Sequence, residues 1–256
     1  MKIATWNVNS INVRLEQLEK WLGENKADVI CLQETKCVDE NFPVEEIRAM
    51  GYEAAFTGEK SYNGVAILSK RPMTDVQKNF PGDLDDSPKR IIAATVDGVR
   101  VVNTYIPNGT ELWTDKFEFK LDWLQRLRRY FDDTCEKDSN VLLCGDFNVA
   151  PDEEDVWSVK NWEGKLHFTI PERAALYHVK LWGFTDLFRL KHGDLKEFSW
   201  WNYRMGAYPK NQGLRIDHIW TSESIAANCV DCRIDKEPRG WERPSDHAPV
   251  VAEFDF

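Results

Sequence analysis

No apolar run in the 256-residue chain approaches the roughly 20 residues that a membrane-spanning helix requires. No signal-peptide-like stretch precedes the first strand-like segment at Lys2, so a reduced cytoplasmic protein is the expectation. Cysteine is scarce: six residues are too few for a disulfide scaffold at this length. Cys31 and Cys144 fall inside apolar runs, where buried free thiols are ordinary. Cys229 and Cys232 form a CxxC, but no second pair completes a zinc site. The chain has no GxSxG, P-loop or GxGxxG, which argues against serine-hydrolase, nucleoside-triphosphate and dinucleotide chemistry. Repeats, low-complexity segments and linker-like stretches are absent too, so residues 1–256 are expected to form one domain. Nor is the chain basic. Its formal net charge is -10 and its pI is near 5.1, so any nucleic-acid contact must rest on local Lys/Arg clusters.

What is present is enough apolar side chain, 42% of residues, for a sizeable core. Strands are expected at Lys2–Val8, Asp28–Glu34, Tyr52–Phe56, Gly64–Ser69, Arg215–Thr221 and Ala248–Phe254. Ile91–Val96 and Val99–Tyr105 flank Asp97-Gly98, a strong hairpin signal. Helices are expected over 12–23, with Gly23 as the stop, and briefly after Pro43. A third covers 115–134, with Phe117, Leu121, Leu124, Leu127 and Phe131 as its buried stripe. Thr169-Ile170-Pro171-Glu172 is a capping box for a helix reaching Trp182. Strands interspersed with helices, around a central hairpin, give a mixed α/β fold with antiparallel pairing.

The stretch Val141–Pro151 organises the rest. Four apolar residues read as a buried strand, Gly145 permits a close backbone approach, and Asp146 and Asn148 follow at i,i+2 spacing. On extended backbone both side chains would leave one face, an acid to hold a metal or accept a proton beside a neutral amide. A strand closing in an Asx-turn is the plainer reading of the same residues.

Other strand ends and adjoining loops carry polar groups of the same kind: Asn7, Glu34, Tyr105, Asp217 and the Asp246-His247 pair. Asp246 and His247 can share a site only if the chain bends there, and Pro244 and Pro249 favour that bend. Acids, amides, a tyrosine and a histidine without paired cysteines describe an oxygen-rich site for a hard cation such as Mg²⁺ or Mn²⁺. Phosphodiester hydrolysis needs that equipment.

These residues carry a resemblance. The set WNVNS (6–10), LQETK (32–36), YIPNG (105–109), GDFNVAP (145–151), GLRID (213–217) and PSDHAPV (244–250) resembles the exonuclease III/AP endonuclease family. That family lies within the endonuclease/exonuclease/phosphatase superfamily, and the motifs run from the first strand to the last. The resemblance implies a four-layer α/β sandwich, with two mostly antiparallel sheets between helices. It implies Glu34 as the principal metal ligand, with Asn7 and Asp246 beside it and Asp146, Asn148 and His247 completing the metal environment. Asp146 would be the base or water-orienting acid and Asn148 a transition-state donor. Tyr105 and the His247–Asp217 pair would grip the phosphate. Lys36 and Asn108 fall where the family contacts the DNA backbone. Trp200, Trp201 and Leu214 fall along the pocket for a flipped abasic sugar or a terminal nucleotide.

One position departs from the family pattern. The residue before Phe168 is usually small in members that cut abasic sites, and here it is His167. Either His167 is a surface-loop histidine, or its ring fills the space an internal abasic sugar would need. The second reading implies a metal-dependent enzyme for 3′ ends of duplex DNA, acting as phosphatase, phosphodiesterase or exonuclease, with weak abasic-site incision. A full AP endonuclease, a superfamily phosphatase for inositol phosphates or lipids, and a catalytically dead binding protein are the alternatives. A monomer is expected.

Overall fold

The computed structural model describes all 256 residues. In chain order the strands are β1 (Lys2–Asn7), β2 (Val29–Gln33), β3 (Glu53–Thr57), β4 (Val65–Ser69), β5 (Met73–Lys78) and β6 (Ile91–Val96). They continue as β7 (Val99–Tyr105), β8 (Val141–Asp146), β9 (Phe184–Asp186), β10 (Asp217–Ser222), β11 (Cys229–Ile234) and β12 (Val250–Phe254). Two six-stranded sheets result, in the orders β11-β12-β1-β2-β4-β3 and β5-β6-β7-β8-β10-β9. Each has one parallel pair at its centre, β1/β2 in the first and β7/β8 in the second, and antiparallel pairing elsewhere.

Period-2 alternation explains the layering. Along β8, Leu142 and Cys144 enter a core shared by both sheets, while Val141 and Leu143 pack outward under helices. The outer face of the second sheet is covered by Asp115–Thr134 and Ile170–Lys180, and that of the first by Ile11–Asn25 and Val44–Ala49. This is the expected four-layer α/β sandwich. No helix is long and apolar enough to cross a membrane.

Some local expectations change. The first helix runs through Gly23 to Asn25 and ends at Lys26, whose left-handed backbone (φ 54°) sends its N–H back to Leu22. Leu121 is only half-buried, whereas Lys120, Trp123 and Tyr130 lie inside. Strands β5, β9 and β11 carry weak patterns: β5 is largely exposed, β9 has three residues and β11 contains a register shift. The Cys229–Cys232 pair is buried and free within β11.

Candidate active site

Central parallel pairing sets the site, because both members of such a pair end at the same edge. In β1/β2, Asn7 registers with Gln33, one residue before Glu34; in β7/β8, Tyr105 registers with Asp146. Asp146 also pairs with Asp217 at the start of the antiparallel β10. Close approach at this edge needs Gly145: at its φ of 136° an added Cβ would lie 1.9 Å from the Thr104 carbonyl oxygen.

Asn148 reaches the site by a turn. The strand has ended, Asn148 has φ 52°, and its N–H donates to Asp146 Oδ1 at 2.9 Å. The extended-strand expectation is therefore corrected, since an Asx-turn and a functional pair are here the same geometry. Asn148 Nδ2 donates to the Ile106 carbonyl (3.0 Å) and to Asp146 Oδ2 (3.3 Å), and Oδ1 accepts from Asn108 (3.1 Å). Asn7 and Asn9 repeat the device, with the Asn9 N–H on Asn7 Oδ1 at 3.0 Å.

Ligand atoms of Glu34, Asp146 and His247 lie within 4.8 Å of one another. Asn7 Nδ2 bridges the two acids, donating at 2.9 Å to Glu34 Oε1 and at 2.9 Å to Asp146 Oδ2. Lys36 pairs with Glu34 Oε2 at 2.7 Å and donates to Asn9 at 2.6 Å. Burial pushes the Asp146 carboxyl up to about 7; His247 opposes this and Asp217 adds to it. Burial would lower His247, but the carboxylates of Asp217 and Asp146 outweigh it and hold the imidazolium up to about 10. Its Nδ1–H donates to Asp217 at 2.9 Å, and Nε2 is 3.7 Å from Asp146. Tyr105 is raised well above its usual range by burial and then by Glu34 and Asp146, so it stays a neutral donor.

Asp246 stands outside this cluster, contrary to expectation. Its oxygens accept from Asn9 Nδ2 and Trp200 Nε1, each at 3.0 Å. His247 is the third member of this cluster, its ring held protonated by the neighbouring carboxylates. The two converging carboxylates of Glu34 and Asp146 fit a hard dication, which would offset their negative charge; Asn7 faces them with its Nδ2 donor while its Oδ1 takes the Asn9 N–H, so as oriented it braces the acids and does not ligate.

The aromatic loop divides. Trp200 is half-buried, while Trp201 has no exposed surface and packs with Phe198, Ala207 and Ala248. Leu214 is equally buried, with Ala150, Val156, Phe168 and Ile216, so neither Trp201 nor Leu214 presents a surface to a ligand. His167 is buried too, correcting the surface-loop reading. At φ 76° its Nδ1 meets the Asn148 carbonyl at 2.7 Å, and its ring centroid is 6.0 Å from that of Trp200.

Sequence reasoning missed several supports. Ser199 Oγ donates to Asp217 at 2.7 Å, Ser245 Oγ donates to the Asn7 carbonyl at 2.6 Å, and the Arg90 guanidinium lies 4.6 Å over the Tyr105 ring. Ser199 leaves no sequence signal, whereas Ser245 sits inside the PSDHAPV motif at 244–250. Lys120 did leave one, a lysine on the apolar stripe of its helix.

The endonuclease/exonuclease/phosphatase family model matches residues 4–247. Exodeoxyribonuclease III of Haemophilus influenzae is 36% identical, the match covering 99% of this chain and 100% of that protein. Among solved structures, a 3′ phosphatase from Neisseria bound to a product DNA hairpin is 42% identical with a TM-score of 0.97. An AP endonuclease from Archaeoglobus fulgidus is 41% identical with a TM-score of 0.93. Each of these two structures and this chain cover one another completely (100%). With the motifs, the paired sheets and the converging acids in agreement, the chain belongs to the exonuclease III/AP endonuclease family of nucleases.

Proposed function

We propose that this protein is a DNA-repair nuclease, dependent on Mg²⁺ or Mn²⁺, that hydrolyses phosphoester bonds at the 3′ ends of duplex DNA. It acts as a monomer and a single catalytic domain. Its activities are 3′-phosphatase, 3′-phosphodiesterase and 3′→5′ exonuclease, with weak incision at internal abasic sites. The observation that carries the 3′-end preference is the buried His167 ring, tied to the Asn148 carbonyl beside Trp200. An internal abasic sugar must thread a continuous strand past this wall, whereas a 3′ terminus approaches from its free end. The Neisseria relative named as a 3′ phosphatase supports this reading.

Glu34 and Asp146, bridged by the Asn7 amide, would hold the metal, which when bound offsets phosphate charge and stabilises the leaving oxygen. Asp146, buried between the Asn7 amide and His247, orients an attacking water and accepts its proton. His247, kept cationic by Asp217, and neutral Tyr105 donate to the phosphoryl oxygens. Asn148 holds its amide at the same edge, braced by Asn108 and the Ile106 carbonyl.

The second reading is a full AP endonuclease, favoured by the Archaeoglobus relative so named. Two labelled duplexes separate them, one with an internal abasic analogue and one with a 3′-phosphate at a nick, each with Mg²⁺ and with EDTA. Removal of the phosphate without incision, abolished by EDTA, is expected. Efficient action on both would make this an AP endonuclease; action on neither would point to a phosphoester outside DNA.

A further inference from the structure

Lys120 is the one lysine with no exposed surface, and the mechanism above does not use it. It lies on the apolar stripe of helix Asp115–Thr134, between Phe117 and Leu124. Its Nζ donates to three oxygens: Asn148 main-chain O at 2.7 Å, Asn108 main-chain O at 3.1 Å and Glu172 Oε1 at 2.5 Å. Glu172 is equally inaccessible and gathers further donors. Its Oε1 accepts the His167 N–H at 3.0 Å, and its Oε2 accepts the Thr169 N–H at 3.1 Å and the Thr169 hydroxyl at 2.6 Å.

A buried ion pair of this kind is seldom a net source of stability, because desolvation of both charges cancels most of their attraction. Its geometry has another consequence. Asn148 is a non-glycine residue with φ 52°, and its carbonyl receives two donors at 2.7 Å, Lys120 Nζ and His167 Nδ1. Burial, followed by the Lys120 charge, pushes His167 down to about 4, so the ring is neutral and the carbonyl fixes its tautomer as Nδ1–H. The left-handed turn that aims the Asn148 amide is therefore pinned from behind.

We propose that the Lys120–Glu172 pair is a positioning device, holding the main chain of Asn148 and Asn108 so that their side chains face the scissile phosphate. It rests on the DNA-nuclease reading for its substrate, but not on the preference between 3′ ends and abasic sites. Lys120 touches no substrate and holds Asn148 more closely than Asn108, so its loss should move turnover more than binding.

Three variants test this on the 3′-phosphate duplex with Mg²⁺: Lys120→Met, the double Lys120→Met/Glu172→Met, and Lys120→Met combined with Asn148→Ala. The double methionine variant removes both charges, leaves no unpaired ion, and remains informative if Lys120→Met alone does not fold. In it, kcat should fall about 100-fold, the usual cost of a displacement of about 1 Å at a reacting centre, while KM changes less than about 3-fold. Adding Lys120→Met to Asn148→Ala should cost less than about 3-fold more, because both act through one group. Backbone amide exchange over 146–150 should quicken by about 10-fold or more in the double methionine variant. Unchanged kcat and unchanged exchange in that folded variant, or losses that multiply with Asn148→Ala, would overturn the proposal. Should the wild-type protein hydrolyse no DNA, the nuclease reading fails, and amide exchange alone decides the role of the pair.

Discussion

At the residue scale, the proposed 3′-end preference rests on His167. Its ring is held at one end by the Asn148 carbonyl and lies between Trp162 and Trp200, with centroids at 6.4 and 6.0 Å. A hydroxymethyl in its place would remove the wall without disturbing the turn, because Lys120 still holds the same carbonyl. His167→Ser is expected to raise incision of an internal abasic analogue by about 10-fold or more, as for other contacts that exclude a competing substrate. Removal of a 3′-phosphate should change by less than about 3-fold, since the metal and phosphate groups are untouched. A variant that cleans 3′ ends normally and gains no incision would take His167 out of the specificity argument.

At the scale of elements, sequence legibility followed periodicity. The strands around the site read clearly because their alternation is strong, and the capping box at Thr169 forms as its residues require. Strands β5, β9 and β11 did not, being exposed, short or bulged. Site residues at strand ends were visible as polar groups after apolar runs. Their partners were not: Ser199 meets Asp217, and Arg215 meets Asp155 and Asp186, only through tertiary packing.

That last cluster joins β9 and β10 to the loop after β8, and it makes a prediction about pH. Arg215 donates to His218 Nδ1 at 3.0 Å, which leaves Nε2–H for the Val149 carbonyl at 3.3 Å. Burial, then the Arg215 charge, pushes His218 down to about 3. The folded state therefore keeps this ring neutral, while the unfolded chain takes up a proton near pH 6.5. Its contribution is intact above about pH 6.5 and is lost as pH falls toward about 3, by about 1.4 kcal/mol per unit. Glutamine can accept from Arg215 and donate to Val149 without titrating. Urea titrations of wild type and His218→Gln at pH 7 and pH 5 should differ in their pH dependence by roughly 2 kcal/mol, the variant losing less. Parallel curves would show that His218 does not report on acid unfolding.

Over the whole molecule, the site exists only where two sheets meet, since Asn7 and Glu34 come from one and Tyr105, Asp146 and Asp217 from the other. Beside its apolar contacts, this interface carries a buried polar bridge. Gln33 on β2 donates to Thr5 Oγ1 at 2.8 Å and across the interface to Asn103 Oδ1 on β7 at 2.7 Å. Asn103 returns its amide to the Leu32 and Ala66 carbonyls, both at 2.9 Å. Gln33 is adjacent to Glu34, and Asn103 lies two residues before Tyr105, so the bridge fixes the slide of one half of the site against the other. Asn103→Leu keeps the volume roughly constant but removes the donors to those carbonyls and the acceptor for Gln33, whose amide keeps Thr5 and Cys31, and should cost about 2 kcal/mol in urea unfolding. The same variant, assayed on the 3′-phosphate duplex at a temperature where it is fully folded, should lose about 10-fold or more in kcat with KM nearly unchanged. Lost stability with full turnover would mean that apolar packing alone holds the two halves in register.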